Sequence, residues 1–105
     1  MVTLLFISRH SPENCPMYNE EYKKLFASMN VEEREKIMHK HGIKDVGSWM
    51  VPSEHLSVHV VEAPSAEAYH QFVAEFNPPY LRFSTTEMKI AISAKEAMKM
   101  MMETK

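Results

Sequence analysis

The chain has one cysteine, no stripe of basic residues and no apolar run near the ~20 residues that span a bilayer, and each absence excludes a class of protein. A single thiol cannot form an intramolecular disulfide, so packing rather than cross-linking must hold the fold. Twelve Lys and Arg face fourteen Asp and Glu in scattered order, which leaves nothing to neutralise a row of phosphates and argues against nucleic acid as a partner. The opening "MVTLLFISRH" lacks both a basic start and a full-length apolar core, so no secretory signal is expected. The expectation is a soluble, cytoplasmic protein with no membrane partner. No internal repeat or low-complexity linker breaks the chain, and 105 residues make one domain, spanning 1–105.

What is present reads as alternating strands and helices. "VTLLFISR" is rich in β-formers and is stopped by Ser11, Pro12, Asn14 and Pro16, which predicts a strand followed by a loop. In "NEEYKKLFASM", Tyr22, Leu25, Phe26 and Met29 recur at helical spacing behind the cap candidate Asn19, with Glu20 and Glu21 at the positive end of the helix dipole. Asn30 followed by Glu33 is a second helix start, and Gly42 a natural stop. "DVGSWMVPSEHLSVHVVEAP" predicts a hairpin turning at Pro52, Ser53 and Glu54. Ser65 caps a helix whose stripe is Ala68, Tyr69, Phe72, Val73 and Phe76, ended by the prolines of "FNPPY". "TEMKIAIS" adds a fourth strand, and Ser93 with Glu96 caps the Met-rich "AKEAMKMMMETK".

This order predicts an α+β fold: a ferredoxin-like βαββαβ sandwich with a four-stranded antiparallel sheet and a C-terminal helix. Its central strands, one and three, are expected side by side and parallel. Alternation then assigns faces. Leu5 and Ile7 on strand one, Leu56, Val58 and Val60 on strand three, and Met88, Ile90 and Ile92 on strand four are expected to meet the helices. Leu4, Phe6, Ser8 and His10, together with His55, Ser57, His59 and Val61, are expected on the opposite face. That second face, joined by Trp49, is too mixed for a dry core and too apolar for water, and a second copy of the chain is expected to cover it.

The "FISRH" opening, the "PSEHLSVHVVEAPSAEA" run and the closing "MKIAISAKEAM" resemble the dimeric α+β barrel superfamily, which includes antibiotic-biosynthesis monooxygenases and muconolactone-isomerase-like proteins, over residues 2–93. The resemblance implies a homodimer of ferredoxin-like protomers that binds a small organic molecule in a cleft, in the manner of a cofactor-independent monooxygenase or isomerase. In some haem-degrading relatives a histidine on the second crossover helix serves the haem; His70 stands there, but Ser8 replaces the asparagine of that pattern.

Three chemistries compete for the polar residues. His10 or His59 can act as a general acid or base on a ligand held by Phe6, Ser8, Cys15, Trp49, His55 and Ser57, because imidazole titrates near neutral pH. Alternatively, the histidines only hydrogen-bond at a subunit seam. A metal or haem held through His10, Cys15 and His59 is the second possibility, but the spacings Cys-x-x-Cys and His-Glu-x-x-His are absent and no metal ligands or cofactor are assigned. His55 and His59 share a face yet stand roughly 13 Å apart at ~3.3 Å per residue, too far to hold one ion together. Third, Cys15 before the first helix is either a reactive thiol or a small residue buried under the loop. Glu13 and Asn14 either orient His10 or shape the turn. His39, His41 and His70 are expected on helix surfaces, and "MKMMM" is expected to pack or to dock on a partner copy. A non-enzymatic structural or regulatory module is the competing function.

Overall fold

The computed structural model describes residues 1–103; the last two residues of the predicted tail helix lie outside them. The sheet comprises β1 (Val2–Arg9), β2 (Lys44–Val51), β3 (Leu56–Ala63) and β4 (Thr85–Ala91), in spatial order β2-β3-β1-β4. Between them run α1 (Glu20–Ala27), α2 (Val31–Lys40), α3 (Ala66–Phe76) and the terminal α4 (Ala94–Glu103). Every neighbouring pair of strands is antiparallel. The expected parallel pairing of strands one and three is therefore wrong. The handedness rule governs strands joined through helices, β1 with β2 and β3 with β4, and each such pair has one strand inserted between its members. β3 is the hairpin partner of β2, so it enters the gap antiparallel to β1.

The caps form where the short polar side chains lie. Asn19, Asn30, Ser65 and Ser93 each accept a hydrogen bond from the backbone N–H three residues on, at 3.0–3.1 Å. The first crossover is two consecutive helices, since the chain restarts at Asn30. Gly42 follows α2 at φ +71°, a left-handed turn that brings it within 3.0 Å of the Pro64 ring if a Cβ is added, so no other residue fits there without strain.

The expected faces are reversed on the two central strands. Leu4 and Phe6 of β1 and Val61 and Ala63 of β3 are buried with Ile37, Met38, Tyr69 and Phe72 of the helices, so Leu4, Phe6, Ser8 and His10 point toward the helices. Leu5, Ile7, Leu56, Val58 and Val60 lie on the open face and are half-buried. Met88 and Ile90 do share the helix-facing side, through their pairing with Phe6 and Leu4, but on this edge strand they stay exposed, Ile90 by 67%. No residue of α4 is buried, although Ala94, Ala97, Met98 and Met101 form one apolar stripe.

Candidate functional site

The sheet's helix-facing side is divided along its length. At the end of Leu4, Val61 and Ala63 it is dry core beneath α2 and α3. At the other end, Ser8, Ser57 and His59 floor a cleft of about 280 Å³, walled by Phe26, Met29 and Phe83. Phe6 joins the two regions, stacked on Tyr69 with ring centroids 4.3 Å apart.

The cleft's main polar group is a trio. His59 Nε2 lies 3.2 Å from Asp45 Oδ1 and 3.4 Å from the Arg34 guanidinium, which also pairs with Asp45 at 3.3 Å. One imidazole nitrogen cannot both donate and accept. With Asp45 the nearer partner and Arg34 Nη1 already donating to that carboxylate, we assign the proton to Nε2, donating to Asp45, which leaves the lone pair on Nδ1. Burial pulls the His59 pKa below its ordinary value; the charge and hydrogen bond of Asp45 offset this in part, and the nearby Arg34 adds to it. The ring is thus a neutral base at physiological pH. Tyr69 keeps its phenolic proton because burial, and then Tyr80 3.4 Å away, raise its pKa.

The depressed His59 has a measurable consequence. An unfolded histidine takes up its proton near pH 6.5, whereas folded His59 refuses it until a lower pH, so stability declines as pH falls below about 6.5, by up to ~1.4 kcal/mol per pH unit. His59→Gln is expected to flatten this region. Urea unfolding from pH 7 to 5 checks it, and equal slopes for the two proteins would contradict the assignment.

The second candidate base lies elsewhere in the cleft. His10 follows β1, and its backbone N–H donates to the carbonyl of His55 at 3.2 Å, extending the β1–β3 ladder by one pair. Antiparallel register thus sets His10 opposite His55 and Phe6 opposite His59. His10 and His59 are four ladder positions apart, roughly 13 Å, so they do not act on one atom together. The set His10, Cys15 and His59 is not assembled. Instead, ligating atoms of His10, Cys15 and His55 lie within 4.8 Å of one another. Burial and then the neighbouring His55 hold the His10 pKa low.

The loop between β1 and α1 explains Cys15. Pro12 starts a tight turn over Pro12–Asn14, the Cys15 carbonyl accepts from the N–H groups of Tyr18 and Asn19, and Asn19 Nδ2 donates to the Glu13 carbonyl at 3.0 Å. The backbone of Glu13 and Asn14 is thus held in the turn. Cys15 is 4% exposed and free.

Other expected positions fall outside the cleft. Trp49 pairs with Val58 on the open sheet face, 56% exposed, with its indole laid over Gly47. A tryptophan in a predicted mixed face looked like a ligand platform; the register puts it on the far side of the sheet. His70 is exposed on α3, away from the cleft, so it is not placed to serve a haem there. His41 is not a free surface residue, because its Nε2 meets Glu75 of α3 at 3.1 Å. Lys40 and then His41, as hydrogen-bond partners, lower the Glu75 pKa. Arg34 and Asp45 carry no local signature in the sequence, since only the packing of α2 over the edge of β2 brings them to His59.

Comparison with known proteins agrees with this architecture. A crystal structure described as a dimeric ferredoxin-like protein from an uncultured marine organism superposes with a TM-score of 0.58 at 14% identity, covering 88% of this chain and 89% of its own. A NIPSNAP family protein from Agrobacterium tumefaciens gives 0.57 at 15% identity over 89% and 92%. An antibiotic biosynthesis monooxygenase gives 0.51 at 14% identity over 89% and 100%. These likenesses establish the α+β ferredoxin-like fold that such proteins share. No curated protein is similar enough in sequence to count as a relative. No described helix is long and apolar enough to cross a membrane. Residues 5–105 match the model of a domain of unknown function, DUF3303, and the chain belongs to that family.

Proposed function

We propose that this protein is a homodimeric α+β barrel that binds a small organic molecule in the cleft between sheet and helices and uses His59 as its acid-base group, in the manner of a cofactor-independent monooxygenase or isomerase. The observation that carries this reading is the His59–Asp45–Arg34 trio set in a cleft whose other lining, His10 apart, is mainly aromatic, aliphatic and hydroxylic. A volume of about 280 Å³ falls just below the ~300–1,000 Å³ typical of small-molecule pockets, which suits a small ligand. Phe6 and Phe83 suit a flat ring, Arg34 an anionic or enolate oxygen, and the neutral imidazole a weakly acidic proton. The fold analogy with the antibiotic biosynthesis monooxygenase supports the choice of reaction class and nothing finer.

The homodimer rests on uncovered apolar surface. The open sheet face presents Leu5, Ile7, Val60 and Trp49, and α4 carries a methionine stripe that its own protomer does not bury. Clustered exposed apolar side chains mark an interaction surface, whereas singly scattered ones are ordinary.

A thermal-shift screen of small phenols and ring carboxylates tests the cleft, since a ligand that binds only the folded state raises Tm. Arg34→Met is expected to remove the shift produced by any hit. His59→Gln is expected to leave binding in place and to slow turnover of a hit by roughly 100- to 10,000-fold. A hit whose shift survives Arg34→Met, or whose conversion survives His59→Gln, would move the site elsewhere.

A further inference from the structure

We propose that His10, Cys15 and His55 form a zinc site bordering the cleft. The three residues come from three separate segments: the end of β1, the loop before α1, and the turn leading into β3. Their ligating atoms nevertheless converge within 4.8 Å of one another. The two rings stand 5.4 Å apart at 71°, so both can aim a nitrogen at one point between them. A tetrahedral zinc ion, with bonds of about 2.0–2.1 Å to nitrogen and 2.3 Å to sulfur, needs its ligating atoms about 3.3–3.6 Å apart. Small side-chain rotations close that gap.

A second observation points to a ligand independently. His10 Nε2 and His55 Nδ1 are buried and have no hydrogen-bond partner among the described residues. Buried polar nitrogens are normally paired, and two orphans on the two histidines that meet a buried thiol are difficult to explain as packing. An ion bound there satisfies both at once. The backbone supports the same conclusion: His55 sits at φ 51°, a left-handed conformation uncommon for a non-glycine residue, and this sets its ring against His10.

The donor set selects the metal. Two neutral imidazoles and a thiolate suit zinc, whereas magnesium and calcium require oxygen ligands that are missing from this cluster. On binding, Cys15 releases its thiol proton to solvent and Sγ bonds to the ion, with no change of oxidation state. Three protein ligands leave a fourth tetrahedral position for water, the pattern of catalytic rather than structural zinc sites. His10 also lines the cleft, so this water would lie at the cleft's edge. The site does not depend on the role proposed for His59.

Titrating tag-free protein with cobalt(II), which adopts zinc geometry and is coloured, tests the proposal. A 1:1 complex with a thiolate-to-cobalt charge-transfer band, displaced by zinc, is expected. Because Cys15 is the only cysteine, that band identifies it in the unaltered protein even if a Cys15 variant folds poorly. Cys15→Ser should abolish the band, and His55→Asn, which retains a residue tolerant of the left-handed backbone, should weaken cobalt binding by more than about 100-fold. Absence of the band in the unaltered protein, or equal cobalt affinity in a folded His55→Asn variant, would overturn the assignment.

Discussion

Replacing Phe6 with alanine is expected to cost about 3–5 kcal/mol of stability and to leave subunit affinity unchanged. The ring is 6% exposed and lies between Tyr69, on which it stacks at 4.3 Å, and His59, 6.2 Å away. Its removal opens a cavity at the junction of core and cleft, where β1 and α3 are both fixed and cannot collapse inward. A loss of that size in a domain of this length lowers Tm by well over 10 °C, at roughly 4–8 °C per kcal/mol. Urea unfolding at a fixed protein concentration measures it. A cost under about 1 kcal/mol, or a change in the dimer constant alone, would return Phe6 to the open face.

Trp49 should behave in the opposite way. Its indole lies flat over Gly47 on the open side, and a Cβ on residue 47 would approach the ring to 2.9 Å. The tryptophan thus presents a broad apolar plate on edge strand β2 of the proposed subunit interface, where buried aromatic residues carry much of the binding energy. Trp49→Glu is expected to weaken the dimer by about 2–4 kcal/mol, roughly 30- to 700-fold in Kd. The fold of each protomer should be preserved, since the position is exposed within it. Light scattering over a dilution series reads the result. A wild-type protein that is monomeric at micromolar concentration, or a Trp49→Glu protein with the same Kd, would contradict the interface.

The contrast between these two aromatic residues shows which features were legible in the sequence. Local signals held: Asn19, Asn30, Ser65 and Ser93 cap the helices they precede, and Gly42 ends α2. Element order was sufficient for the fold. The phase of β1 was not legible, because Leu4, Leu5, Phe6 and Ile7 are apolar in either phase. On β3, the clean apolar alternation of Leu56, Val58 and Val60 looked like the core face, but it belongs to the open side. The helix-facing residues Ser57 and His59 are polar because they floor a cleft there. A cleft takes the place of dry core along part of that face, and hydrophobic patterning alone then points the wrong way. His10 and Cys15 were recognisable as chemistry-bearing residues; their partner His55 required the antiparallel register, and Arg34 and Asp45 required the packing of α2.

The sheet order also constrains the timing of folding. β1 is flanked by β3 and β4, so the strand earliest in the chain pairs only with strands that come much later, while β2 and β3 can close their hairpin locally within microseconds. During synthesis at ~5–20 residues per second, β1 waits roughly 3–10 s for the last residue of β3, and longer for β4. Throughout that interval "VTLLFISR" is apolar on both faces and unpaired on both edges, the composition that favours strand addition between chains. Concentrated refolding should therefore lose material through β1, and a peptide of this sequence added during refolding should compete for β3 and lower the yield of folded protein.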